Sequence, residues 1–146
     1  MKIVLGLAVI VAGALMSAQP AAAQTDAAKP CVAGPWMVFF DFDSDEITPQ
    51  GAAILNKAAA AYKTCGQAQV TIAGHTDRKG DAQYNVGLSQ RMAMNVRSYL
   101  AGRGVPDGVM TTEAFGESRP RVATKDDVRE PQNRRVEITF GPGSGW

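Results

Sequence analysis

Across residues 69–93 the sequence changes its hydrophobic period. An apolar run at 69–73, with Val70 and Ile72 on one face, gives way to the polar stretch His75-Thr76-Asp77-Arg78-Lys79-Gly80 and then to a helical stripe. A period of 2 reads as a strand and a period of 3.6 as an amphipathic helix, so the chain must turn from a strand end into a helix packed over it. Asp77 emerges just beyond that strand end, next to the hydrogen-bonding side chains of His75 and Thr76. It is therefore a candidate anchor for a cationic ligand group. From the residues alone, an exposed turn aspartate is an equal alternative.

The flanking segments extend the pattern. Residues 36–40 form a short aromatic and aliphatic run of the kind expected in a strand buried on both faces, stopped by the acidic turn at 41–46. Thr48 as N-cap and Pro49 at the first helical position open a helix, with Ile54, Leu55, Ala58, Ala59 and Tyr62 at helical spacing before Gly66. That helix is expected to pack on the sheet through Ile54 and Leu55. Gly80 and Asp81 lead into a second helix running to about residue 101, residues 109–115 read as a third strand, and Val136, Ile138 and Phe140 alternate as a fourth. The order βαβαββ predicts an α+β fold, a two-layer sandwich of a mixed sheet with both helices packed against it.

The first residues carry Lys2, an apolar run over 3–16 and small residues at 21–23, the pattern of a secretory signal peptide. The run is shorter than the roughly 20 residues that span a bilayer, so no membrane-spanning segment is expected in the mature chain. No cysteine follows it closely enough for lipid attachment. The expected division is a signal peptide over 1–23, a flexible tether over 24–35, one domain over 36–140 and a Gly-rich tail over 141–146. Without Lys2, the 15 basic residues fall to the number of acidic ones, 14, and this balance argues against a nucleic-acid partner.

Two cysteines in an exported chain favour a disulfide, here Cys31 with Cys65, because two thiols and a single histidine cannot complete a tetrahedral zinc set. Free thiols are the alternative. Asp41, Asp43 and Asp45 alternate like the start of a calcium loop, but Glu46 and Ala52 occupy the positions of its turn glycine and closing carboxylate. Neither a metal nor a cofactor is expected. His75 lacks a nucleophile placed beside it, so no catalytic residue is assigned and the ring is expected to hydrogen-bond to loop backbone. Arg134 and Arg135 must point to opposite faces of the last strand, one toward a cleft and the other to solvent or to Glu137. The mixed-sign run 119–135 reads as a solvated loop without a ligand, and is the stretch that a protein partner in the envelope would use.

Four separated motifs, FFDFDSDEIT at 39–48, GHTD at 74–77, YNVGLS at 84–89 and QNRRVE at 132–137, together resemble the OmpA-like C-terminal domain, also found in Pal lipoproteins and flagellar motor stators. The resemblance covers roughly residues 36–140. It implies noncovalent peptidoglycan binding in the periplasm through the diaminopimelate side chain of the stem peptide, linking the outer envelope to the cell wall. By the same resemblance Asp77 accepts the ligand ammonium, Asn85 supplies an amide, Arg134 reaches in from the last strand, and Phe42 and Asp43 wall the cleft.

One position departs from the family pattern LSxxRA. Here the stretch reads Leu88-Ser89-Gln90-Arg91-Met92-Ala93, with methionine where the family places the arginine that holds the ligand carboxylate. Arg91 is turned by about 100° around the helix and is expected to point away from the cleft. Losing one partner of a desolvated charge pair costs about 2–5 kcal/mol, which implies weakened binding. Without the family pattern, Met92 would read as a core side chain on the stripe of Leu88 and Val96. The alternative function is a periplasmic protein-interaction module that has kept the fold and lost the wall.

Overall fold

The computed structural model describes residues 30–141, together with Gly6 and residues 13–15. The expected signal peptide, the tether over 24–29 and the tail beyond 141 lie almost wholly outside the described residues. Six elements follow in the order β1 (Trp36–Phe39), α1 (Pro49–Tyr62), β2 (Val70–His75), α2 (Ala82–Gly102), β3 (Met110–Gly116) and β4 (Arg135–Phe140). They form a four-stranded sheet in the order β1-β4-β2-β3. The last strand inserts between the first two, antiparallel to both, while β2 and β3 run parallel. This is the mixed sheet of an α+β fold that the sequence pattern predicts.

Both helices are capped by the residues their sequences offer. Thr48 Oγ1 accepts the Gly51 amide at 3.0 Å, with Pro49 just inside the helix. Asp81 accepts the Gln83 and Tyr84 amides at the start of α2. Leu55, Ala58, Ala59 and Tyr62 of α1 and Leu88, Met92, Ala93, Val96 and Leu100 of α2 share one apolar core with Val38, Val70, Ile72, Val136, Ile138 and Phe140 of the sheet. Ile54, expected beside Leu55, is half-buried and packs against that core. Among the described residues no helix is long and apolar enough to cross a membrane.

Strand β1 differs from expectation. It lies at the edge of the sheet, and Phe39 is 40 % exposed, so only one face of the strand is buried. The doubly covered positions fall on β4 and the end of β2 instead, where Arg135, Glu137 and His75 are buried on the face away from the core cluster. An apolar composition signalled a strand correctly but not its place in the sheet order.

Residues 30–35, expected as part of a flexible tether, are fastened to the domain. Cys31 forms a disulfide with Cys65 just beyond α1, and the Ala33 carbonyl accepts the Phe140 amide at 2.8 Å. Gly74 sets the approach of α2 to β2, because a Cβ there would lie 2.1 Å from the Ser89 carbonyl oxygen. Ser89 Oγ in turn accepts the Gly116 amide at 3.0 Å, and Gly116 O accepts from Thr76 N at 2.8 Å. The ends of β2 and β3 and the first half of α2 are thus locked together around the loop that follows His75.

Candidate functional site

Asp77 is 2 % exposed and is not an open turn residue. Its Oδ1 accepts the Lys79 amide at 3.1 Å, while Oδ2 accepts the Glu130 amide at 3.2 Å and Arg134 Nη1 at 2.9 Å. A carboxylate offers about four acceptor positions, so three of them are occupied by the protein itself. Arg134 also donates from Nε to the Phe40 carbonyl at 3.1 Å, tying the start of β4 to the end of the first strand segment. Asn85, buried on the first turn of α2, donates its amide to the Asp77 and Lys79 carbonyls at 3.3 and 3.0 Å. The loop after β2 is therefore held in shape by a side chain from each neighbouring element.

These groups border a cleft of about 140 Å³ between the 41–44 turn, the 76–80 loop and α2. Phe42, Asp43, Asp77, Asn85, Met92 and Arg134 all line it. Tyr84 Oη donates to Asp43 Oδ1 at 2.6 Å across the mouth, and that hydrogen bond holds the phenol above its ordinary range. Met92 is 1 % exposed and belongs to the core cluster as well as to the cleft lining. It is a packing side chain and the apolar floor of the cleft at once. Arg91 does not line the cleft; its Nε lies 3.3 Å from Asp45 Oδ2, and its guanidinium sits 5.8 Å from the Tyr84 ring. A larger hollow of about 450 Å³ flanks the outer edge of β1 and α1. It is shallow, and the polar groups of the cleft converge elsewhere, with Arg134 and Asp41 common to both.

Residues 39–134 match the OmpA family, and these residues hold both α-helices, β2 and β3 but only the final residue of β1 and none of β4. The chain belongs to the OmpA family. It is 38 % identical over 103 residues to the peptidoglycan-associated lipoprotein of Haemophilus influenzae, an alignment covering 70 % of this chain and 67 % of that protein. Identity to the peptidoglycan-associated lipoprotein of Brucella melitensis is 39 % over 108 residues, covering 74 % of this chain and 64 % of that one. This chain thus spans about two thirds of the length of these relatives. The crystal structure of the peptidoglycan-associated lipoprotein from Burkholderia pseudomallei superposes with a TM-score of 0.65 at 35 % identity, covering 71 % of this chain and 88 % of that chain.

Within this OmpA-family domain, the 117–134 loop is more than the solvated stretch that its composition predicts. Asp127 accepts the Gly80 amide at 3.1 Å and Lys79 Nζ at 3.2 Å, and the Gly80 bond foremost holds its carboxyl below the usual range. The Arg78 side chain pairs with Asp126 and donates to Thr124 O at 2.8 Å. Buried Asn133 accepts the Arg121 and Val122 amides through Oδ1, both at 2.8 Å. Composition identified the charges, but only the fold shows that the loop folds back over the Asp77 turn.

His75 occupies the last position of β2. Its ring stacks on Phe115 with centroids 5.2 Å apart, and Nε2 lies 3.4 Å from Glu137 Oε2. This places His75 on the sheet face behind the cleft, opposite Arg135 in the β2–β4 register. Burial lowers the His75 imidazole below its ordinary value, against the opposing pull of Glu137. Burial works to raise the Glu137 carboxyl, but its hydrogen bond with His75 and the Arg135 charge outweigh this and hold it low. Arg135 is the arginine that faces away from the cleft, its Nε 3.4 Å from Glu137 Oε1.

Proposed function

We propose that this chain is a nonenzymatic periplasmic domain that binds peptidoglycan noncovalently through the diaminopimelate of the stem peptide and links the outer envelope to the cell wall. The observation that carries the reading is the buried Asp77–Arg134 pair lining the cleft between the 41–44 turn, the 76–80 loop and α2 in an OmpA-family domain. Its relatives from H. influenzae and B. melitensis are named for association with peptidoglycan. The ligand ammonium meets the remaining acceptor capacity of Asp77 together with Asp43, while Phe42 packs along the aliphatic stem. Met92 contributes apolar contact and no cation, so binding is weaker than an arginine at that position would give.

Co-sedimentation with purified sacculi tests this reading. The wild-type protein pellets with the wall, and Met92→Arg, checked for folding by its melting curve, raises affinity at least about tenfold, or 1.4 kcal/mol. A second reading is a periplasmic protein-interaction module that no longer takes the wall ligand, favoured by the full burial of Met92. Wild-type protein that stays in the supernatant, with Met92→Arg restoring sedimentation, would select that second reading.

A further inference from the structure

The cleft contains two cations, and both are engaged. Arg134 Nη1 lies 2.9 Å from Asp77, and Lys79 Nζ lies 3.2 Å from Asp127. Arg91 is drawn off to Asp45. A zwitterionic ligand that places its ammonium among Asp77 and Asp43 brings a carboxylate for which α2 provides only Met92. A carboxylate desolvated without a positive partner is unfavourable, so the source of that charge decides what the site selects.

The guanidinium of exposed Arg129 lies 3.6 Å from the centroid of the Phe42 ring, the aromatic wall of the cleft. No carboxylate pairs with it among the described residues. Arg134 is the second cation on the same ring, 6.0 Å from its centroid, but is held by Asp77. Stacking on an aromatic face uses the flat side of a guanidinium and leaves its in-plane N–H donors free for a carboxylate fork. The backbone beside Arg129 is fixed to the site, because the next residue, Glu130, donates its amide to Asp77 Oδ2 at 3.2 Å. The acid that anchors the cleft thus also anchors the strand of loop that carries the unpaired guanidinium.

We propose that Arg129 receives the ligand carboxylate, supplying from the 117–134 loop the cation that α2 lacks. This rests on the wall-binding reading and adds a specificity to it: the site prefers a stem peptide whose diaminopimelate carboxyl is free over one whose carboxyl is a primary amide. The Phe42 ring orients the guanidinium. Because Arg129 is exposed, its removal leaves the fold intact.

The test is a fluorescence-anisotropy titration with two soluble labelled muropeptides, identical except that the side-chain carboxyl is free in one and amidated in the other. Wild-type protein is expected to prefer the free acid by about tenfold, the equivalent of 1.4 kcal/mol. Arg129→Gln, with an unchanged melting curve, is expected to lose that preference by weakening the free acid alone. Arg129→Lys is expected to recover part of it, since lysine keeps the charge without the planar fork. A preference that survives Arg129→Gln overturns the proposal while leaving wall binding in place. Equal binding of both muropeptides by the wild type overturns it likewise. Binding of neither overturns the wall-binding reading and this proposal with it.

Discussion

Removing the Asp77 carboxylate should destabilise the domain by several kilocalories per mole, whatever it does to ligand binding. Its side chain is 3 % exposed and that of Arg134 14 %, so Asp77→Ala leaves a largely buried guanidinium without its anion. Breaking a buried pair by deleting one partner costs about 3–5 kcal/mol. The amides of Lys79 and Glu130 lose their acceptor too, but both are only part-buried and water can replace it, so their contributions are not added in full. Native domains hold roughly 5–15 kcal/mol, so the variant should still fold in buffer. Urea denaturation of the disulfide-intact protein, followed by Trp36 fluorescence, measures the loss. Asp77→Asn should cost nearly as much, because its amide nitrogen would face donors from Arg134 or Glu130. In a double-mutant cycle with Arg134→Ala, the pair should show a coupling of at least about 2 kcal/mol. A loss below about 1 kcal/mol for Asp77→Ala, the value of a solvent-exposed pair, would refute the reasoning.

Stability should fall as the pH drops below about 6.5, the ordinary His75 value, because the unfolded chain takes up a proton that the buried imidazole resists. A second decline should begin below about 4.5 as Glu137, held low in the fold, is forced to protonate. Melting temperatures across this range should therefore decline in two stages, with His75→Gln removing the first. Replacing Cys31 and Cys65 by serine should cost about 3–4 kcal/mol in the chain-entropy model, read from the urea midpoint, because the bridge closes a loop with a sequence separation of 34. Gly74→Ala should cost at least about 2 kcal/mol, since the Ser89 backbone that its Cβ would strike cannot swing aside; a melting curve like that of the wild type would contradict the close approach of α2 to β2.

Local signals in the sequence were enough for the elements themselves. Thr48 with Pro49 and Asp81 announce the helix starts, and the switch from period 2 to period 3.6 around residues 74–80 marks the loop that carries Asp77. The strand order was harder to read, because β4 pairs with β1 and β2 across long stretches of chain. That is why β1, apolar throughout, reads as a strand buried on both faces and yet lies at the sheet edge with one face covered. Alternation along β4 did place Arg134 and Arg135 on opposite faces, and the structure sends Arg134 to Asp77 and Arg135 to Glu137. The contributions of Asp127, Glu130 and Arg129 around the cleft were not legible, because they come from a loop of mixed charge with no periodicity. Their positions follow from where the loop folds back, and that depends on backbone hydrogen bonds to Asp77 and Arg78 that composition does not reveal.

Calorimetric titration of the wild-type domain with a soluble diaminopimelate-bearing muropeptide tests the central claim most directly. One-site, saturable heat that weakens as salt screens the matched charges is the expected result. A flat titration with folded protein would contradict wall recognition through this cleft.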